Sequence, residues 1–168
     1  MVQCNNIFDN PNMKLIEEGG CYRVYEHQKD MSAPAQYASQ MYFMQEMNIR
    51  KRQVLCALDG TAVKVQAGSM QWVAGNLEIS SGVTGVGNLF GKMVKGAVTG
   101  ESAVKPIYSG SGCLMLEPTY RYLLIENVGE WGEGMTLDDG LFLACDSTIQ
   151  EKIVSRTNAS SALLGGEG

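Results

Sequence analysis

Residues 53–79 read QVLCALDGTAVKVQAGSMQWVAGNLEI, and the parsing of this run decides the fold. Val54, Cys56 and Leu58 fall on one side of an alternating strand, and Asp59-Gly60 supplies turn residues, the glycine tolerating positive φ. Ala62 to Ala67 answers with Val63, Val65 and Ala67 on one face and Lys64 and Gln66 on the other. Directly after it, Met70, Trp72 and Ala74 alternate with Gln71 and Val73. Gly75-Asn76 gives a second turn, and Leu77 and Ile79 return inward. The period is two rather than 3.6, so the run reads as two consecutive β-hairpins.

Working toward the N-terminus, Gln40 to Asn48 (QMYFMQEMN) fits either a strand or a helix, and Tyr42 and Phe43 favour the strand. Lys29 to Ser39 is a small-residue loop around Pro34. In Cys21 to His27, Tyr22, Val24 and Glu26 alternate with Arg23 and Tyr25, which makes a strand. Residues 1–20 carry Asn-Pro and Gly-Gly punctuation without a sustained period and read as a loosely attached lead-in.

Toward the C-terminus, Val104 to Ser109 and Gly112 to Leu116 form a further hairpin, with Pro106 at an edge or bulge because it cannot donate a ladder hydrogen bond. Tyr122 to Glu126 is an apolar run suited to a buried strand. Gly129 to Gly134 is a loop, and Thr136 to Asp138 leads through an Asp139-Gly140 turn into Leu141 to Ala144. Ile149 to Ser155 is the last strand. About ten short strands at such spacing describe an all-β sandwich or barrel. The reading is one sandwich domain over residues 21–168, with Ala162, Leu163 and Leu164 opening an apolar run as though a further strand were missing. A sheet edge left open there invites pairing with another chain.

Between these strands lies a glycine-rich segment that fails as a phosphate loop. Val86 stands where G-x-x-x-x-G-K-[ST] needs its first glycine, Met93 where it needs Ser or Thr, and Phe90 where G-x-G-x-x-G needs its last glycine. The segment instead suits a short helix from Asn88 to Thr99. Leu89, Phe90, Met93, Val94, Ala97 and Val98 share one face, Asn88 caps the start and Gly100 stops the end. Gly91 and Gly96 each cost about 1 kcal/mol relative to Ala, so packing must hold this helix. Its cover comes from the sheet, from a neighbouring subunit or from a membrane surface, the sheet being the default. Leu89, Phe90, Met93, Val94 and Val98 are therefore the candidate contacts for a partner or a second copy.

The 168 residues suffice for one domain with a hydrophobic core, and 13 Lys+Arg against 18 Asp+Glu give a net charge of −5. That balance supplies no general attraction to nucleic acid or an anionic membrane. Arg50, Lys51 and Arg52 are the one basic run; a solvated loop is the default reading and a nucleic-acid contact the alternative. His27 is the lone histidine. It would have to be the base of any Ser-His or Cys-His scheme, and multi-histidine metal centres like those of cupin barrels are not available. The five cysteines form no Cys-x-x-Cys unit and read as small apolar residues, reduced in a cytoplasmic protein. No window has the ~20 apolar residues of a membrane span. Asp138-Asp139-Gly140 is a turn before it is a carboxylate pair.

Four motifs in order, VQAGSMQWVAGNLEI (65–79), GKMVKGAVTGES (91–102), YSGSGCLMLEP (108–118) and LDDGLFLACDSTI (137–149), resemble the signatures of the family named altered inheritance of mitochondria, number twenty-four. Its bacterial members are described as similar in fold to the tryptophan RNA-binding attenuation protein (TRAP). The resemblance implies a β-sandwich of the double-stranded β-helix, TRAP-like type, assembled as an oligomer, without an established enzymatic activity or cofactor. The expectation is a non-enzymatic scaffold or binding module that forms homo-oligomers or takes a protein partner. Nucleic-acid binding is the alternative and a cupin-like metalloenzyme a more distant one. Family chains usually continue further, so Gly168 is expected to mark a truncation.

Overall fold

The computed structural model describes residues 6–29, 34–80, 105–138 and 140–152. They are mostly antiparallel β-sheet with one short helix, as the all-β reading expects. The strands are β1 (Met13–Gly19), β2 (Tyr22–His27), β3 (Arg52–Val65), β4 (Met70–Ser80), β5 (Ile107–Leu116) and β6 (Ala144–Asp146), and the helix is α1 (Ala38–Glu46). The sheet runs β1-β2-β3-β5-β4, with β6 also paired to β3. Two compact units share the chain: one holds β1, β2, α1, β3 to Thr61, β4 to Glu78 and residues 109–126 with most of β5, the other the ends of β3 and β4, the start of β5, and β6.

In the first unit β1 and β2 pair antiparallel around Gly20-Cys21, where Gly20 takes φ +56°. β2 then pairs with β3, placing Val24 against Val54 and Tyr25 against Gln53. Alternation along each strand sorts the side chains. Tyr25, Leu55, Cys113 and Met115 cluster on one face, with Ile7, Met13 and Trp72 packed against them. Val24, Val54, Cys56, Leu114 and Leu116 occupy the other face and are also buried. Burial of consecutive residues means that both faces of the middle strands are covered. In the second unit Val63, Val65, Pro106 and Tyr108 are buried among the described residues. Val63–Val65 pairs with β6, and the Val65 amide donates to the Pro106 carbonyl, just before β5 begins.

The three expected hairpins are three long strands. β3 runs through Asp59-Gly60, with Gly60 at φ +72°; β4 runs through Gly75-Asn76, with Gly75 at φ +107°; β5 runs through Gly110, at φ +120°. β5 lies between β3 and β4, so those two neighbours in sequence do not pair. β5 also approaches β4 closely: a Cβ on Gly110 would stand 2.3 Å from the Asn76 carbonyl oxygen, and one on Gly112 2.3 Å from that of Ala74. These glycines permit bends and close backbone contact within strands rather than reversals between them.

Other readings need correction. Gln40 to Asn48, taken as a strand, lies largely in α1. ASQMYFMQE has no β-branched residue and several strong helix formers, and Asn48 at φ +60° ends the helix, with the Ile49 amide bonded to the Met44 carbonyl. The lead-in contains β1, tied along its length to β2. Tyr122 to Glu126 is not a strand: the Ile125 amide goes to the Glu17 carboxylate, and Tyr122 and Leu124 are exposed. The Asp138 turn is present, with the Leu141 amide on the Asp138 carbonyl, but the strand after it, β6, pairs with β3. Asp139, Cys4, the Asn88 to Thr99 helix and the apolar run at 162–164 lie outside the described residues.

Candidate functional site

The basic run is drawn into the fold by the β2-β3 register, which sets Glu26 opposite Arg52. Arg52 Nη2 lies 2.7 Å from Glu26 Oε2, and Arg50 Nε lies 3.8 Å from Oε1 of the same carboxylate. Arg50 also donates from Nη1 to the Gln28 carbonyl and from Nε to Asn48 Oδ1. Arg52 is 3 % exposed, its main chain exchanges hydrogen bonds with Thr119, and its guanidinium lies 4.2 Å from the centre of the Tyr122 ring. Its Nε has no hydrogen-bond partner among the described residues. Lys51 Nζ stands 5.9 Å from the centre of the Tyr120 ring. The two guanidiniums thus answer one carboxylate inside the fold, while the rings of Tyr120 and Tyr122 face solvent.

His27 ends β2 in a polar chain. Gln53, buried on β3, donates from Nε2 to the Leu116 carbonyl at 3.0 Å and to Gln71 Oε1 at 2.9 Å. Its Oε1 is therefore the acceptor facing His27 Nε2 at 2.7 Å, which places the imidazole proton on Nε2. The chain links β2, β3, β5 and β4 through one amide. Its chemistry is that of a buried strut, with the one histidine held as a donor.

In the second unit Lys64 Nζ lies 2.9 Å from Glu151 Oε1 and donates to the Ile149 carbonyl, while Lys105 pairs with Glu151 Oε2 and sits over the Phe142 ring. Burial alone would raise the Glu151 carboxyl, but hydrogen bonds and charge from Lys105 and Lys64 outweigh it and hold the group below the usual carboxylate value. Cys145, opposite Lys64 in the ladder, has its thiol pushed up, chiefly by burial, which disfavours the nucleophilic thiolate.

The candidate contacts Leu89, Phe90, Met93, Val94 and Val98 lie outside the described residues. A comparable surface occurs where the sequence reading expected a strand. No side chain of α1 is buried, and Tyr42 and Phe43 are 59 % and 64 % exposed, with Met47 beyond them at 73 %. The rings of Tyr42 and Phe43 meet edge to face at 5.6 Å. The signal for the helix that carries this surface was Met41, Met44 and Met47 at three-residue spacing in a run without β-branched residues. β4, the last strand in the sheet order, exposes Met70, Val73 and Ile79 and carries one charge, Glu78.

Among the described residues no three His, Cys, Asp or Glu side chains gather as a metal site, and no helix is long and apolar enough to cross a membrane. A family model described as mitochondrial biogenesis AIM24 matches residues 45–168. An uncharacterized protein of Streptococcus pyogenes serotype M6 is 34% identical over 116 residues, covering 65% of this chain and 46% of that protein. The chain thus spans about half the length of that curated relative. No solved structure matches.

Proposed function

The chain belongs to the mitochondrial biogenesis AIM24 family, and within it we propose a non-enzymatic, self-associating β-sandwich of the double-stranded β-helix, TRAP-like type, a cytoplasmic scaffold or binding module. One observation carries this reading: α1, nine residues long, has no buried side chain and presents Tyr42, Phe43 and Met47 to solvent. Helices shorter than about 12 residues are marginal in water and owe their stability to packing. Cover from a second copy supplies that packing. A lipid surface is the poorer match, because α1 has no Lys or Arg for the basic face of an interfacial helix.

Native mass spectrometry tests the proposal. The wild-type chain is expected as an oligomer, and Phe43→Glu shifts it toward monomer with its β-sheet circular dichroism unchanged. A monomeric wild-type chain at micromolar concentration overturns it, whatever the variant does.

A second reading, single-stranded nucleic-acid binding, is favoured by Tyr120 and Tyr122, exposed rings that each stand over a cation, Lys51 and Arg52. A gel-shift assay at low salt tests it: retention of oligonucleotide, lost in Tyr122→Ala, is the supporting result, and no retention ends it.

A further inference from the structure

We propose that a hollow beside the β1-β2 hairpin binds an apolar molecule bearing one carboxylate, held by Arg23. The site is independent of self-association.

Register builds it. Leu15 pairs with Tyr25 and Met13 with His27, so Met13, Leu15, Arg23 and Tyr25 share one face of the hairpin. Phe8 stands over that face, its ring centre 6.4 Å from that of Tyr25. Among the described residues these five line a hollow open to solvent on one side, about 370 Å³ in volume and within the size range of small-molecule sites.

The roof is fixed in place. The Asn6 amide donates to Asp9 Oδ1, Asn10 Nδ2 to the Asn6 carbonyl, and the Asn12 amide to Asn10 Oδ1. The Met13 amide bonds the Asn10 carbonyl and the Gln28 amide the Asn12 carbonyl, which ties this knot of turns to both strands. The asparagines that read as loop punctuation therefore hold Phe8 above the sheet.

A bulge sets the charge. The register shifts between Leu15 and Glu17, so Glu18 rather than Glu17 comes opposite Arg23, and Glu17 falls opposite Val24. Glu17 is then taken by the Ile125 amide, and the exposed Glu18 reaches Arg23 at 3.9 Å. Among the described residues the other contact of the Arg23 guanidinium is the Phe8 ring, 6.0 Å away. Arg50 and Arg52 spend guanidinium donors on carbonyl and carboxylate oxygens at 2.7 to 3.4 Å. Among the described residues the Arg23 fork makes no hydrogen bond that short, and Glu18 approaches only its Nε, so its terminal donors are open to a ligand carboxylate.

Chemistry narrows the occupant. Apolar walls favour a hydrocarbon or aryl body, and one guanidinium at the rim favours a carboxylate met by two parallel N–H bonds. The same guanidinium repels a cationic ligand. A polyphosphate would demand several cations or a nest of backbone amides, and the described lining of the hollow has one cation, Arg23.

Calorimetric titration of the full chain with octanoate and octanol is the test. Octanoate is expected to saturate one site, to bind at least about tenfold more tightly than octanol, and to lose about tenfold in Arg23→Gln, with Arg23→Lys between. Methyl NMR of the wild-type chain is expected to show shifts at Met13 and Leu15. No saturable binding, equal binding of alcohol and acid, an unaffected Arg23→Gln variant, or shifts confined elsewhere each overturn the proposal. If Arg23→Gln does not fold, the acid-to-alcohol ratio and the methyl map of the wild-type chain decide.

Discussion

Gly110 on β5 lies so close to Asn76 on β4 that a Cβ there would stand 2.3 Å from the Asn76 carbonyl oxygen, and its φ of +120° disfavours any side chain. Gly110→Ala is therefore expected to lose more than about 3 kcal/mol, by strain and by separation of the two strands. Gly112→Ala meets the Ala74 carbonyl equally closely, at a φ outside the left-handed region, and should be nearly as damaging. Gly60→Ala has φ +72° but open space around it, so its cost should be about 1 kcal/mol. Urea unfolding midpoints in that order check the assignment.

Glu26 is the carboxylate shared by Arg50 and Arg52, and Arg52 is almost fully buried. Glu26→Gln leaves that guanidinium without its anion and is expected to cost about 3 kcal/mol. Arg52→Gln added to it should cost less than the sum of the two single changes, because the stranded charge is gone. A double-mutant cycle by urea denaturation measures the difference.

Gln53→Leu removes the amide joining His27, Gln71 and the Leu116 carbonyl, and strands a buried acceptor. A loss of about 1–3 kcal/mol is expected. In the wild-type chain, the nitrogen-15 NMR signature of His27 should report the proton on Nε2 at neutral pH.

Acid reads out Glu151. Its carboxyl is held below the ordinary value in the folded chain, so its contribution is fully present above the usual carboxylate range and lost as pH falls through the folded value. Wild type is expected to exceed Glu151→Gln by up to about 1 kcal/mol at pH 7, and the gap to narrow as the pH falls below the ordinary carboxylate range and to close once Glu151 protonates in the folded chain. Thermal melts of both proteins from pH 7 down to pH 3 follow it.

Strand positions were legible where apolar residues alternate, as in Cys21 to His27 and Gln53 to Leu58. The family was legible from four ordered motifs. Connectivity was not. Asp59-Gly60 and Gly75-Asn76 carry the residues of a hairpin turn, but a glycine with positive φ serves a mid-strand bend equally well. What separates the two uses is the identity of the neighbouring strand, and β5 comes from more distant sequence. At Ala38–Glu46, Tyr and Phe outweighed the helix preference of Ala, Gln, Met and Glu, so Tyr42, Phe43 and Met47 were missed as a surface. The Arg23 hollow was hidden because a one-residue bulge decides which glutamate faces the arginine.

The place of β5 between β3 and β4 also bears on how the protein is made. A ribosome releases β3 and β4 in succession; β3 can pair with β2 at once, but the other edge of β3 and the whole of β4 have no neighbour in this order until residues 107–116 emerge. At about 5–20 residues per second, two long strands wait for seconds with unpaired edges. Their apolar surface is then open to other nascent chains, which makes residues 52–80 the natural target of a holding chaperone during synthesis.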